Sequence, residues 1–458
     1  MDAKELKEML FQKNKNVYDV TDEKEITDYC EGYKKYLDNS KTERETVKAT
    51  IELAEKEGFV PYEFGTALSV GGKYYFNNRG KAIYLFTIGS DPLEKGIYIS
   101  AAHIDSPRID LKQKPLYEDS GLGFLKTHYY GGIKKYQWTA IPLSLHGVVV
   151  KSNGETVDVI VGEAENDPVF YINDLLPHLG KDQAVKSLGD AISGESLNIL
   201  VGSKAYKDEF ADEKIKLNIL NLLYEKYGIV ESDFLSAELS AVPAFKARDI
   251  GFDRSLIGGY GHDDRVCAYP ALTALFENVN SPKTLMVVLS DKEEIGSEGN
   301  TGMNCRVFLD IINEMASAFG ANPNIVRANS KCLSADVNAG FDPNFADVFE
   351  RRNNAFINNG VVLTKYTGSR GKAGSSDASA EYVGYIRNLF DSAGIVWQTS
   401  ELGKVDQGGG GTVAAFIANL NIDTVDLGVP VLSMHAPWEV IAKADLYMTH
   451  KAFSVFDR

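Results

Sequence analysis

The sequence predicts an α/β protein with a mostly parallel central sheet flanked by helices and an inserted, mainly β second domain. Three observations predict it. After Gly261, helix-patterned and strand-patterned segments alternate, the order that builds a parallel sheet with helices on both faces. From about Tyr117 to Ala247 the texture changes to short aromatic and β-branched runs typical of antiparallel strands. The segments on either side of that block both carry carboxylate and imidazole residues beside apolar runs, so the two halves must meet in space. At 458 residues the chain also exceeds a usual single core. Residues 1–115 and 248–458 are therefore expected to form one domain and residues 116–247 the inserted one.

The elements follow in order. The first sixty residues read as two helices, the second opened by Ser40-Lys41-Thr42-Glu43, which fits a capping box, and closed near Gly58 with Pro61 beyond. Lys73–Asn77, Ala82–Thr87 and Gly96–Ala102 are runs rich in Tyr, Ile and Phe, broken by Gly-Gly or Asn-Arg-Gly turns, and read as strands; the last ends directly in His103. In the inserted block, Trp138-Thr139-Ala140-Ile141-Pro142-Leu143 and Leu145-His146-Gly147-Val148-Val149-Val150 suggest antiparallel strands, and Asp208–Tyr227 a helix with charge pairs. Beyond Gly261 come Arg265–Glu277, Thr284–Ser290, Val307–Phe319, a strand ending near Asp336, Ala378–Ala393, Thr412–Asn419 and Thr424–Met434, alternating helix with buried strand.

Composition bounds the function. Hydrophobic residues make up 44% and charged residues 24% of the chain, an ordinary globular balance. Acidic residues outnumber basic ones by 64 to 48, a formal charge of -16, which disfavours nucleic acid or an anionic membrane surface as partner. The start, Met1-Asp2-Ala3-Lys4-Glu5-Leu6-Lys7, is charged and lacks the apolar core of a secretory signal, and no later apolar run is long enough to span a bilayer. A cytoplasmic protein is expected. Cys30, Cys267, Cys305 and Cys332 lack CxxC spacing, which suits reduced thiols better than a disulfide framework or a thiolate metal site. Any metal would sit on histidine and carboxylate.

Five segments offer such ligands: His103-Ile104-Asp105, His262-Asp263-Asp264, Asp291-Lys292-Glu293-Glu294, Ser334-Ala335-Asp336 and Ser433-Met434-His435. They fall where apolar runs end, at the carboxyl edge where open α/β sheets gather their sites. A two-metal hydrolase holds its ions about 3.5–4 Å apart. It needs one shared carboxylate, terminal His and carboxylate ligands, and one free carboxylate as base. His103 leaves a strand, and Asp105 can hold its imidazole in the ligating tautomer. Asp263 and Asp264 open a helix, where capping is the ordinary reading; only one easily faces a metal, and Asp263 is favoured as the bridge. Glu293 and Glu294 are adjacent, so their side chains diverge, one to ligate and the other to accept a proton. Asp336 and His435 each close an apolar run. Singly these segments are ambiguous, but with only seven histidines in the chain their combination points to a metal centre.

The runs Ala102-His103-Ile104-Asp105-Ser106-Pro107-Arg108, Asp291-Lys292-Glu293-Glu294-Ile295-Gly296-Ser297, Ser334-Ala335-Asp336 and Leu432-Ser433-Met434-His435 closely resemble the aspartyl aminopeptidase family of cytosolic zinc exopeptidases, most of all a bacterial member. The resemblance covers nearly the whole length, and implies two zinc ions per subunit; manganese or cobalt also suits such ligands. It implies His103 and Asp336 on one ion, Asp263 as the bridge, Glu294 and His435 on the other ion, Glu293 as general base and Asp105 as orienter. Leu176-Pro177-His178-Leu179 resembles a segment whose histidine reaches a neighbouring subunit's active site, which implies oxyanion stabilisation by His178. Relatives assemble as tetrahedral dodecamers, so a homododecamer built from dimers is expected, with the inserted domain serving dimerisation and access for short peptides. The implied reaction is release of an acidic or neutral N-terminal residue, one metal holding the free α-amine.

An acidic substrate side chain needs a cation. Lys365, in Thr364-Lys365-Tyr366-Thr367-Gly368-Ser369-Arg370-Gly371-Lys372, is the first candidate, with Arg370 and Lys372 as rivals and a solvated basic loop as the plain alternative. Gly408-Gly409-Gly410-Gly411-Thr412 lacks the Gly-x4-Gly-Lys spacing of a phosphate loop and reads as a loop where a peptide backbone can approach. His128, among strand-forming aromatics, is expected to be structural. Two other functions would keep the fold: a metal-dependent amidase or deacylase on a non-peptide substrate, and a non-catalytic binding protein. The second should have lost ligands or base, and none is lost.

Overall fold

The run Thr284–Ser290 is buried at all seven positions, a pattern that only a sheet covered on both faces accommodates. It lies inside a nine-stranded sheet in a computed structural model, described for residues 1–12, 15–209 and 211–458. Strand order is Val60–Pro61, Lys73–Asn78, Ala82–Thr87, Thr284–Ser290, Ile97–His103, Lys331–Ala335, Asp423–Gly428, Val361–Thr364 and Trp397–Thr399. The four strands from Thr284–Ser290 to Asp423–Gly428 run parallel, with antiparallel pairings on either side. Helices cover both faces, as the alternating pattern predicts. Tyr33, Leu272, Ile386 and Phe453 pack on one face; Phe308, Ile311 and Met315 pack on the other.

Residues from Arg108 to Pro243 build a separate, seven-stranded antiparallel sheet. Its strand Ala237–Pro243 pairs with both Arg108–Asp119 and Pro142–Val150, so the sheet closes on itself around Trp138, Leu143, Ile172 and Leu197. Strand Arg108–Asp119 runs across position 115/116, where the inserted block was expected to begin. A third sheet, of five short strands, was not foreseen; its order is Arg248–Ile250, Leu256–Gly259, Glu439–Ala442, Pro430–Leu432 and Asn338–Ala339.

Other departures have local causes. Among the described residues three α-helices precede residue 60, not two, because Ala3–Leu10 forms with an Asp2/Glu5 capping box and no buried residue. The box on helix Glu43–Lys56 pairs Thr42 with Glu45 rather than Ser40 with Glu43; Ser40 is fully buried. The helix expected over Asp208–Tyr227 starts at Lys214. Phe210 in that span, and Lys13 and Asn14 near the start of the chain, lie outside the described residues. Thr424–Met434 is two strands in two sheets, Asp423–Gly428 and Pro430–Leu432. Pro430 has no N–H for a ladder, and a Cβ on Gly428 would fall 1.7 Å from the Asp336 carbonyl oxygen, so only glycine lets the chain pass there.

A buried polar clasp fastens helix Glu43–Lys56 to the seven-stranded sheet. His146, 1% exposed, places Nδ1 2.8 Å from Glu45 Oε1 and Nε2 3.1 Å from Glu163 Oε1, so both ring nitrogens donate to carboxylates. Lys246 Nζ lies 2.6 Å from Glu163 Oε2. Burial pushes Glu163 up, but His146, Lys41 and Lys246 more than offset it and hold the carboxyl down at about 2, from an ordinary 4.5. Burial pushes His146 down, and hydrogen bonds to Glu163 and Glu45 raise it beyond that. The depressed carboxylate stabilises the fold above its ordinary value and loses that contribution as pH falls from 4.5 towards 2; the raised imidazole contributes below 6.5 and loses it as pH climbs through its folded value. Glu163→Gln should therefore cost about 1–2 kcal/mol near pH 6, after allowance for solvent screening. Urea unfolding at pH 6, 4 and 3 checks it: the gap to the parent narrows below pH 4.5, and a constant gap would count against the clasp.

Candidate metal centre

Each candidate ligand stands where an element ends. Strand Ile97–His103 presents His103 at its last position, beside Ser290 of the neighbouring strand. The turn after Ser290 carries Glu293 and Glu294. Lys331–Ala335 leads into Asp336 and Pro430–Leu432 towards His435. Leu256–Gly259 leads through Gly261 to Asp263, which sits with Asp264 at the non-helical opening of helix His262–Glu277, the two joined by a cis peptide bond.

The five come together as two donor triplets, His103 with Asp263 and Asp336, and Asp263 with Glu294 and His435, each within 4.8 Å. Asp263 belongs to both. Its Oδ1 is 3.1 Å from His103 Nε2, and its Oδ2 is 3.2 Å from His435 Nε2. Asp336 Oδ1 is 3.8 Å from His103 Nε2, and Glu294 Oε2 is 3.5 Å from His435 Nε2. Glu293 joins a further group with His103 and Glu294. Behind them Asp105, fully buried, accepts the backbone N–H of Glu293 at 3.0 Å and of Glu294 at 3.2 Å. Its Oδ1 lies 3.3 Å from His103 Nδ1. The Nδ1 of His435 donates to the Gly132 carbonyl at 2.7 Å, which leaves Nε2 turned to the carboxylates.

So many acids cannot all ionise in a dry site. Burial pushes Glu293, Glu294 and Asp336 up, and neighbouring carboxylates push the same way. Burial would raise Asp263 too, but His103 and His435 hold it far below the usual carboxylate range. Burial works to lower both imidazoles, yet the facing carboxylates raise them. Fully ionised, the cluster would carry more negative charge than its imidazoles balance, and bound cations would relieve it. Nitrogen and oxygen donors in this number suit zinc. Among the described residues, Glu294 Oε1 is buried without a hydrogen-bond partner, as a ligand atom would be.

The cluster opens on a cavity of about 590 Å³. Asp263, Glu293, Glu294, Asp336 and His435 line it together with Tyr366, Arg370, Lys372, Lys404 and the glycines 408–411. The glycine-rich run is a cavity loop, not a phosphate loop. Lys365 is outside the lining, with its Nζ 2.6 Å from Asp377, which Lys372 also approaches at 3.1 Å. His178 stands on the exposed turn Pro177–Leu179, apart from this cluster. His128 is exposed, its Nδ1 2.9 Å from the Tyr129 carbonyl.

Sequence reasoning missed two neighbours, Tyr130 and Asp426, and gave Asp264 only the ordinary role of a helix-opening cap. Tyr130 donates its hydroxyl to Asp105 Oδ2 at 2.8 Å from the last position of strand Leu122–Tyr130. Asp264 Oδ2 accepts the His103 backbone N–H at 3.3 Å. Asp426 lines the cavity beside Thr412 and Ser376 and is pushed up to about 7, by burial first and Asp336 second. Asp426 had a signal, a carboxylate inside Thr424-Val425-Asp426-Leu427; Tyr130 had none beyond its strand.

Residues 36–456 match a family model described as aminopeptidase I zinc metalloprotease (M18). A Clostridium acetobutylicum protein named probable M18 family aminopeptidase 1 is 49% identical, over 98% of either chain. The crystal structure of an M18 family aminopeptidase from Thermotoga maritima has a TM-score of 0.95 at 43% identity, covering 98% of this chain and 100% of that one. The S. cerevesiae mApe1 dodecamer shares the fold, with a TM-score of 0.76 at 23% identity over 94% of this chain and 96% of that one.

Proposed function

Because the chain belongs to the aminopeptidase I zinc metalloprotease (M18) family, we propose that it releases the N-terminal residue of short peptides with a dinuclear zinc centre and a glutamate base. The observation that carries this reading is Asp263, one carboxylate whose two oxygens face two different imidazoles. In this reading Asp263 holds both ions, His103 and Asp336 complete one site, and Glu294 and His435 the other. When bound, the ions polarise the scissile carbonyl and make the attacking water more acidic. Glu293 takes the water's proton on its carboxylate and returns it to the leaving amine nitrogen. Asp105 accepts the backbone N–H of base and ligand alike, so it orients Glu293 and Glu294 together.

Residues 1–115 and 248–458 carry this chemistry, while residues 116–247 serve dimer contact and substrate access. His178 stabilises the oxyanion in a neighbouring subunit, and dimers close into a homododecamer that admits only short peptides; the exposure of the His178 turn and the shared fold of a dodecamer support this. Among the described residues, no helix is long and apolar enough to cross a membrane, and four free cysteines suit a cytoplasmic location.

The basic loop reads an acidic substrate side chain, Arg370 from the cavity wall and Lys365 by exchanging its Asp377 partner for the substrate. Release of the N-terminal residue from Asp, Glu and Leu substrates tests this, using metal-stripped protein reloaded separately with zinc, manganese or cobalt. Activity should return with metal, and Lys365→Ala and Arg370→Ala should lower kcat/KM on Asp and Glu substrates by about tenfold, the scale of one exposed charge contact. Equal losses on Leu would remove charge reading; no release from folded, metal-loaded protein would move the function to an amidase or deacylase.

A further inference from the structure

In the five-stranded sheet, the middle strand Glu439–Ala442 lies between Leu256–Gly259, which runs on to Asp263, and Pro430–Leu432, which runs on to His435. Glu439 is the first residue of that strand, opposite Gly259. It interrupts an otherwise apolar run, Trp438-Glu439-Val440-Ile441, and is only 1% exposed. A carboxylate is costly to bury unless its oxygens are satisfied. Both are, each by a different ligand-bearing loop: Oε2 accepts the backbone N–H of Asp263 at 3.1 Å, and Oε1 accepts the backbone N–H of His435 at 2.7 Å. The second loop is strained, with Ser433 at φ +59° and His435 at φ +65°, a region that side-chain-bearing residues enter only when their surroundings hold them there.

We infer that Glu439 is a positioning residue that fixes the distance between Asp263 and His435, and through it the affinity of the centre for zinc. One planar carboxylate sets the separation of two N–H groups, and with it the separation of the two side chains those residues project. Glu439 touches neither substrate nor the reacting atoms; it acts through the main chain of two ligands. The inference rests on the dinuclear reading above.

Glu439→Gln keeps the volume and one acceptor but turns an NH2 group towards one of the two N–H donors, so one arm of the clasp opens. The test is zinc titration of full-length protein against a chromophoric chelator, with melting of the metal-stripped form alongside. Partners that orient metal ligands are worth about 10- to 100-fold in affinity. The zinc dissociation constant of Glu439→Gln should rise by that factor, while the metal-stripped variant stays folded, melting only somewhat below its metal-stripped parent for the one buried N–H left unpaired, and KM for peptide at saturating zinc is unchanged. Glu439→Asp, one methylene too short to span both loops, should weaken zinc likewise, and it replaces the Gln variant if that does not fold. A dissociation constant within about twofold of the parent's overturns the inference, whatever the stability. A parent that takes up no zinc overturns the dinuclear reading and this inference with it, whereas a parent that binds and a variant that binds equally overturns this inference alone.

Discussion

Glu293→Gln should lower kcat by about 100- to 10,000-fold, the range contributed by a general acid–base group, with zinc content unchanged at near two per subunit. The substitution keeps the shape and one oxygen of a side chain that starts immediately after Lys292, a residue held at φ +67°. It leaves the backbone N–H groups of residues 293 and 294 on Asp105, so the turn should keep its position. What it removes is the ability to take a proton. Steady-state kinetics with elemental analysis of the same preparation decides the matter. If zinc is lost together with activity, Glu293 is a ligand, and its grouping with His103 and Glu294 has to be reassigned.

Asp263→Ala should have a comparably large effect by a different route. The side chain belongs to both donor triplets, so in the proposed dinuclear reading its removal would take a ligand from each ion at once, and it leaves His103 Nε2 and His435 Nε2 without the carboxylate each faces at close to 3 Å. Zinc content should fall from near two to near zero, and kcat/KM by about 1,000-fold or more, since metal-ion stabilisation of developing charge amounts to several kcal/mol. Asp336→Ala is the comparison: it touches one triplet only, and should leave one ion. An Asp263→Ala protein that keeps one ion would show that the carboxylate is terminal rather than shared.

The parts of this molecule legible in sequence were those whose signal is local. Ala82–Thr87 and Thr284–Ser290 form over their predicted spans because apolar runs of six or seven residues bounded by turn residues are too short for a buried helix and suit strands buried on both faces. The five candidate ligand segments could be singled out because His and carboxylate residues beside such runs have few structural reasons to be there, and the fold brings five of their residues together. The five-stranded sheet could not be found: its strands are two to four residues long, too short for periodicity, and join positions separated by nearly two hundred residues. Glu439 was missed for the same reason, although an acid within Trp-Glu-Val-Ile should prompt the question of what satisfies it. The capping box was displaced by two residues because Ser40 and Thr42 are both chemically able to cap, and burial of Ser40 chooses between them. Lys365 was singled out because an acidic substrate side chain needs a cation, and nothing in the sequence signalled that Asp377 would lie 2.6 Å from its Nζ.

The hydroxyl of Tyr130 on Asp105 and the carbonyl of Gly132 on His435 bear on how such an enzyme can be rebuilt or diversified. Both contacts come from the end of the strand Leu122–Tyr130 and the turn that follows it, so the block around residues 116–247 is not a cassette that can be exchanged between relatives or deleted at its apparent seams. A chimera that swaps it must carry those two partners in register, or the recipient inherits a centre whose histidine and orienting aspartate have lost their outer support. Changes on the block's remaining surfaces leave both contacts in place.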